Sequence, residues 1–346
     1  MRSFCGVNAL ALALFSTCIM SSSSAAGIPD SSYAILLRVD QSGKGDFTKI
    51  QDAIDSVPSN NSVFYYILIK PGTYREKIVV PKDKPFVTLS GTKTNSAIIT
   101  WSERWDTPQS PTVSILASDF VGRYLTIQVH SILSNRICAF LQNSYGPSGP
   151  AVALSISGDR VAFYTCRFIS YQDTLLDAVG RHYYKNCYIE GATDFVCGNG
   201  QSLFDRCHLH SISKNGGSVT AQRRLAAEEN TGYSFVGCKV TGAGVGTLIL
   251  GRPWGRYSRV VYGYTYMSNA VLPQGWGDWN DPSNQRTVHY GQFRCYGPGS
   301  DVSGRVGWSH QLSLREASHF FRKTWINGRD WLRPPPKSFR KPQTTP

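Results

Sequence analysis

The chain has 346 residues, 41% hydrophobic and 12% aromatic, with a formal net charge of +13. That apolar content excludes a disordered or low-complexity chain, and the length fits one large domain or two average ones. The basic balance points to a polyanionic partner. Nucleic acid is the other usual reading of basic charge, but no nucleic-acid fold motif is present and the leader argues against it.

Arg2, an apolar run from Ala9 to Met20, four serines and the small-residue site Ala25-Ala26-Gly27 read as a secretory signal peptide over residues 1–26. The run is too short for a transmembrane span and no second candidate follows, so no membrane partner is expected. The folded domain is expected over 27–332, with 333–346 as a solvated, basic, proline-containing tail. Loss of Arg2 with the leader lowers the net charge from +13 to +12.

Leu37–Asp40 predicts a short strand. Ile50, Ala53, Ile54 and Val57 fall on one face of a helix over 47–57, stopped by Pro58. Asn60-Asn61-Ser62 is an N-glycosylation sequon in a turn-like segment, with Asn60 as the acceptor. Tyr65–Ile69 is a buried-type strand ended by Pro71-Gly72. Beyond it come short strands and turns, without a long amphipathic helix.

The middle of the chain repeats. Arg160–Phe168, with Cys166, is echoed by His182–Ile189 with Cys187, Ser202–Leu209 with Cys207, and Tyr233–Val240 with Cys238; Val260–Tyr266 is a fainter copy. The cysteines lie 21, 20 and 31 residues apart. A period of 20-odd residues carrying one strand motif means a solenoid, and the β-branched and aromatic content selects a parallel β-helix. The long interval predicts an extra loop over about 211–230. Equivalent cysteines should form an inward ladder on rungs about 4.8 Å apart. One or two disulfides are expected among them, Cys207–Cys238 first and Cys138–Cys166 second, each spanning about one coil. No CxxC pair suggests a metal.

Asp194 sits among apolar side chains in Gly191-Ala192-Thr193-Asp194-Phe195-Val196-Cys197-Gly198, and Asp173 lies 21 residues earlier in Tyr171-Gln172-Asp173-Thr174-Leu175. That gap equals the coil length, so the two carboxylates should occupy neighbouring rungs. Two such groups cannot both ionise cheaply, and one keeps its proton. An acid beside a carboxylate supplies a general acid and a nucleophile for ester cleavage. Arg252, in Gly251-Arg252-Pro253-Trp254, is the natural bidentate partner of the charged one. The plain alternative is a structural acidic pair held by arginine.

These islands, in this order and with Gly72-Thr73-Tyr74-Arg75-Glu76 before them, resemble the pectin methylesterase family, which writes them approximately as YQDTL, GxVDFIFG, GRPW and GxYxE. The resemblance runs from about Val39 to Trp331. It implies an all-β, right-handed parallel β-helix with a short N-terminal helical cap and a C-terminal extension. It implies a secreted, cell-wall, cofactor-free enzyme, without metal, that releases methanol from methyl-esterified pectin. A monomer with a proteinaceous inhibitor as partner also fits the family. By resemblance, Asp194 is the nucleophile, Asp173 the general acid and base, Gln172 an oxyanion donor and Arg252 the group that orients Asp194. Trp254, Arg252, Phe195 and Tyr171 would contact the polymer. Gln172 and Asp173 can share the cleft only if the backbone bends there, because consecutive strand residues face opposite sides.

The chain departs from the family at four places. Pro150 stands where a second oxyanion glutamine is usual, and proline offers no donor. Arg223 replaces a glycine, Thr193 a valine and Cys197 a phenylalanine. Pro150 keeps open a weak or inactive pectin-binding relative. Another β-helix enzyme acting on polygalacturonate, a lyase with clustered acids for Ca²⁺ or a glycosidase, is the other alternative. A serine esterase is disfavoured because no GxSxG is present. His208-Leu209-His210 lacks a third metal ligand, and Gly242–Gly246 lacks the strand–helix context of a dinucleotide site.

Overall fold

Short runs such as Val161–Tyr164 and Arg181–Lys185 pair in parallel and in register, Val161 against His182 and Tyr164 against Lys185. The computed structural model describes residues 32–101, 111–129 and 149–342; the leader and Cys138 lie outside them. Among the described residues the strands form three parallel sheets of twelve, eight and seven strands. Each regular coil visits them in that order, for example at 161–164, 167–169 and 175–177. The fold is therefore the expected parallel β-helix.

Inside, identical positions of successive coils must stack. Tyr184, Phe204, Phe235 and Tyr262 do so with centroids 4.5, 4.4 and 4.6 Å apart and planes within 18°. Those separations follow the rung spacing of about 4.8 Å, which is why the repeat is written in aromatic residues.

Between the twelve- and eight-stranded sheets the chain turns at a single left-handed residue: Thr165, Asn186, Arg206, Gly237, Tyr264 and Arg294, with φ between 47° and 60°. A cysteine follows five of these, and Thr265 follows Tyr264. The inward ladder is present, but the disulfide expectation is corrected. Cys166, Cys187, Cys197, Cys207, Cys238 and Cys295 are free thiols, so the Cys207–Cys238 bridge is not formed. His208 is in register with Lys239, so the two cysteines before them project in parallel instead of converging. Each thiol turns to a carbonyl of the previous coil, Cys207 to Tyr184 at 3.4 Å and Cys238 to Phe204 at 3.3 Å. Cys166 is likewise free, and its expected partner Cys138 lies outside the described residues.

Three local details differ from the sequence reading. The helix spans only Ile50–Asp55, because Phe47 instead bridges Val39 and the Glu76 carboxylate accepts the N–H groups of Ile50 and Gln51, both at 3.0 Å. A carboxylate there satisfies free N–H groups and complements the helix dipole. The extra length of the 31-residue interval is divided between two connections, 212–217 and 223–231, on either side of the strand Ser218–Gln222. The described part of the tail is docked: Ser338–Arg340 pairs with Tyr33–Ile35, Phe339 meets Tyr66 edge-on, and Arg340 lies 3.7 Å over Tyr33.

Candidate active site

Asp173 and Asp194 each stand two residues before a strand of the seven-stranded sheet, and those strands pair Leu175 with Val196. The aspartates therefore hold equivalent places on neighbouring rungs, about 4.8 Å apart in backbone. Both are left-handed, with φ of 55° and 50°, a conformation Asp tolerates better than most residues. This is the bend that spacing could not reveal. It breaks the strand alternation and sets the Gln172 side chain where it pulls the Asp173 pKa downward.

The corner is packed from below. Phe195 is wholly buried, and a Cβ on Gly191 would come within 2.3 Å of the Phe195 Cβ. Its ring is thus a core side chain, a correction to its expected place on the sugar-binding surface. An inward turn follows directly from the left-handed Asp194 beside it. Thr174 donates to the Glu190 carbonyl at 2.8 Å and ties the two rungs together.

The Asp194 side chain is 6% exposed, so its charge needs partners. Arg252 supplies a fork: Nε reaches Oδ1 at 2.9 Å and Nη2 reaches Oδ2 at 2.6 Å. The Ser218 hydroxyl also donates to Oδ1, and the Asp194 N–H donates back to Ser218 Oγ at 3.2 Å. Arg252 lies two rungs further on, in the column of Cys197 and Ala221. Gly251 precedes it because a Cβ there would strike Thr220 Oγ1 at 2.2 Å. The guanidinium is roofed by Trp279, 4.0 Å away. Trp279 and Asn280 are both left-handed, φ 62° and 57°, an unusual geometry for a bulky residue and one that stores strain beside the site.

Asp173 behaves oppositely. Burial first, and the Asp194 charge second, push its pKa from 3.8 up to about 7, against the opposing pull of Arg252 and Gln172. The corner thus holds one carboxylate fixed in ion pairing and one carboxyl that keeps its proton to near neutrality. An acid and an anion on adjacent rungs match the needs of ester cleavage.

A pectinesterase family model matches residues 37–329. The chain belongs to the pectinesterase family. It is 55% identical over 313 residues to "Putative pectinesterase 11" of Arabidopsis thaliana, covering 90% of this chain and 84% of that one. Its fold matches a pectin methylesterase from carrot with a TM-score of 0.78 and 31% identity, over 90% of this chain and 96% of that chain. A pectin methylesterase in complex with hexasaccharide VII matches with a TM-score of 0.70 and 25% identity, over 87% and 98% of the two chains. As a pectinesterase, the chain is a carboxylic ester hydrolase that de-esterifies pectin.

Around the aspartate pair of this pectinesterase, Trp254 is 45% exposed and lies under the Arg223 guanidinium at 5.0 Å. Tyr171 is half-buried, and its carbonyl accepts the Ala192 N–H. Pro150 is exposed one rung before Tyr171, since the Ala151 N–H donates to the Gln172 carbonyl. Gln222 is buried as a strap: its Oε1 accepts the N–H groups of Arg224 and Arg259. His208 and His210 share the Thr241 hydroxyl, and no metal-ligating cluster exists among the described residues. Glu76 and Tyr74, in the island nearest the N-terminus, serve the helix cap and the core and not the site. Sequence reasoning missed Ser218 and Trp279. The Ser218 position carries no motif; Trp279, close after Gly275-Trp276-Gly277, offered only an aromatic near glycines.

Proposed function

We propose that the aspartate pair performs the de-esterification. Asp194 attacks the carbonyl carbon of a C6 methyl ester and forms a covalent acyl link. The carbonyl π electrons move to oxygen, where the Gln172 amide donates to the developing charge. On collapse the bond to the methoxy group breaks, and the proton of Asp173 passes to that oxygen, releasing methanol. Water then attacks the acyl carbon, gives its proton to Asp173 and frees the Asp194 carboxylate with the C6 acid. Arg252 holds Asp194 in place for the attack.

The observation that carries this reading is the split environment, Asp194 held in a two-pronged ion pair while Asp173 titrates at about 7. Trp254 and Tyr171 are proposed contacts of the polymer. The leader and the exposed Asn60 support a secreted, glycosylated protein acting on pectin in the cell wall. No helix among the described residues is long and apolar enough to cross a membrane.

The test is methanol release from highly methylated pectin without chain shortening. Asp194→Asn should abolish it. Gln172→Ala should lower kcat about a hundredfold, the scale of one oxyanion donor. Pro150→Gln should raise kcat by up to about the same factor, with KM little changed in both. An unchanged kcat in Gln172→Ala would overturn the oxyanion assignment. Pectin binding with no methanol release from the unaltered protein would instead favour the inactive binder that Pro150 keeps open.

A further inference from the structure

Two consecutive arginines follow Gln222, and the fold uses them differently. Arg224 is 5% exposed and closes its own loop, donating to the carbonyls of Glu229 at 2.8 Å, Tyr257 at 3.2 Å and Ala227. Arg223 is exposed. Its N–H is anchored on the Gly198 carbonyl at 2.8 Å, and its guanidinium lies 5.0 Å over the half-exposed Trp254 ring. Among the described residues no carboxylate forms an ion pair with it, whereas the Arg252 charge is committed to Asp194.

The placement is set by register. Gln222 pairs with Pro253, which brings Arg223 beside Trp254 on the strands that carry Arg252. Val196 pairs with Thr220, which sets Asp194 level with Ser218. Arg223 is five positions further along, on the order of 15 Å at about 3.3 Å per residue. A sugar chain bound across Asp194 would therefore meet Arg223 some units away from the reacting ester.

A flat indole with an uncommitted guanidinium above it suits a uronic acid. The ring takes a pyranose face, and the guanidinium takes a carboxylate by a charge-assisted hydrogen bond. A methyl ester brings no charge and gains little. We propose that Arg223, on its Trp254 platform, recognises a free C6 carboxylate of a galacturonate remote from the reacting ester. The chain then prefers polymers that carry both free and esterified units. This deepens the reading of Asp194 as the reaction centre and rests on it.

Two measurements test it. In the first, kcat/KM is compared on fully methylated and on partly de-esterified pectin. Arg223→Gln should lower the preference for the partly de-esterified polymer about tenfold, through KM. Arg223→Lys should restore part of it, and added salt should shrink the preference of the unaltered protein. In the second, calorimetry follows binding of unesterified oligogalacturonate. Its Kd should weaken about tenfold in Arg223→Gln, equivalent to about 1.4 kcal/mol. An unchanged preference, or an unchanged Kd, overturns the proposal. If the unaltered protein releases no methanol, the reaction-centre reading fails, and the calorimetry still decides whether Arg223 binds the carboxylate.

Discussion

Replacing Asp173 by Asn should make the protein more stable and less active, and the gain should depend on pH. The native carboxyl titrates at about 7 instead of 3.8. At 1.36 kcal/mol per pH unit, that difference amounts to about 4 kcal/mol. Because the folded pKa is raised, the native state binds more protons than the unfolded chain between these two values. Stability is therefore present in full below about 4 and lost as pH rises to about 7. Asn imitates the protonated form and cannot ionise, so the variant keeps what the unaltered protein loses. The linkage relation gives a gain of about 4 kcal/mol at pH 8 and about 2 kcal/mol at pH 5, with partial exposure of Asp173 trimming both. Urea denaturation followed by tryptophan fluorescence at the two pH values measures it. A gain equal at both pH values, or none at pH 8, would refute the claim that ionisation of this carboxyl strains the fold.

Arg252→Ala should destabilise the protein by about 3 kcal/mol, because Asp194 would remain buried with only Ser218 to hold its charge; Arg252→Lys should restore charge but not the fork, and urea midpoints would rank the three. The pH profile of kcat/KM should fall about tenfold per unit above pH 7, as Asp173 loses the proton that the proposed mechanism has it donate. A flat profile from pH 6 to 9 would remove Asp173 from that step. Alkylation in denaturant without reductant should label both Cys207 and Cys238, as free thiols require; peptide mapping that finds them joined would contradict the parallel ladder.

The solenoid was legible in the chain because stacking is periodic. The middle coils place an aromatic ring and a cysteine inside at the same heights, so Cys166, Cys187 and Cys207 and the rings before them mark the repeat. Asp173 and Asp194 share that period, and their adjacency followed from it without coordinates. What the strand pattern does not encode is the direction of a side chain at a corner. One left-handed residue reverses alternation, and the corner residues Thr165, Asn186, Arg206 and Tyr264 have no common side chain to announce it. The inward turn of Phe195 and the parallel setting of Cys207 and Cys238 were decided there. Ser218 and Trp279 were also settled only by the tertiary structure. They lie 24 residues from Asp194 and 27 from Arg252, across connections of irregular length. Periodicity carries no information about such connections, and only the closed packing of neighbouring coils brings these residues to the charges they hold.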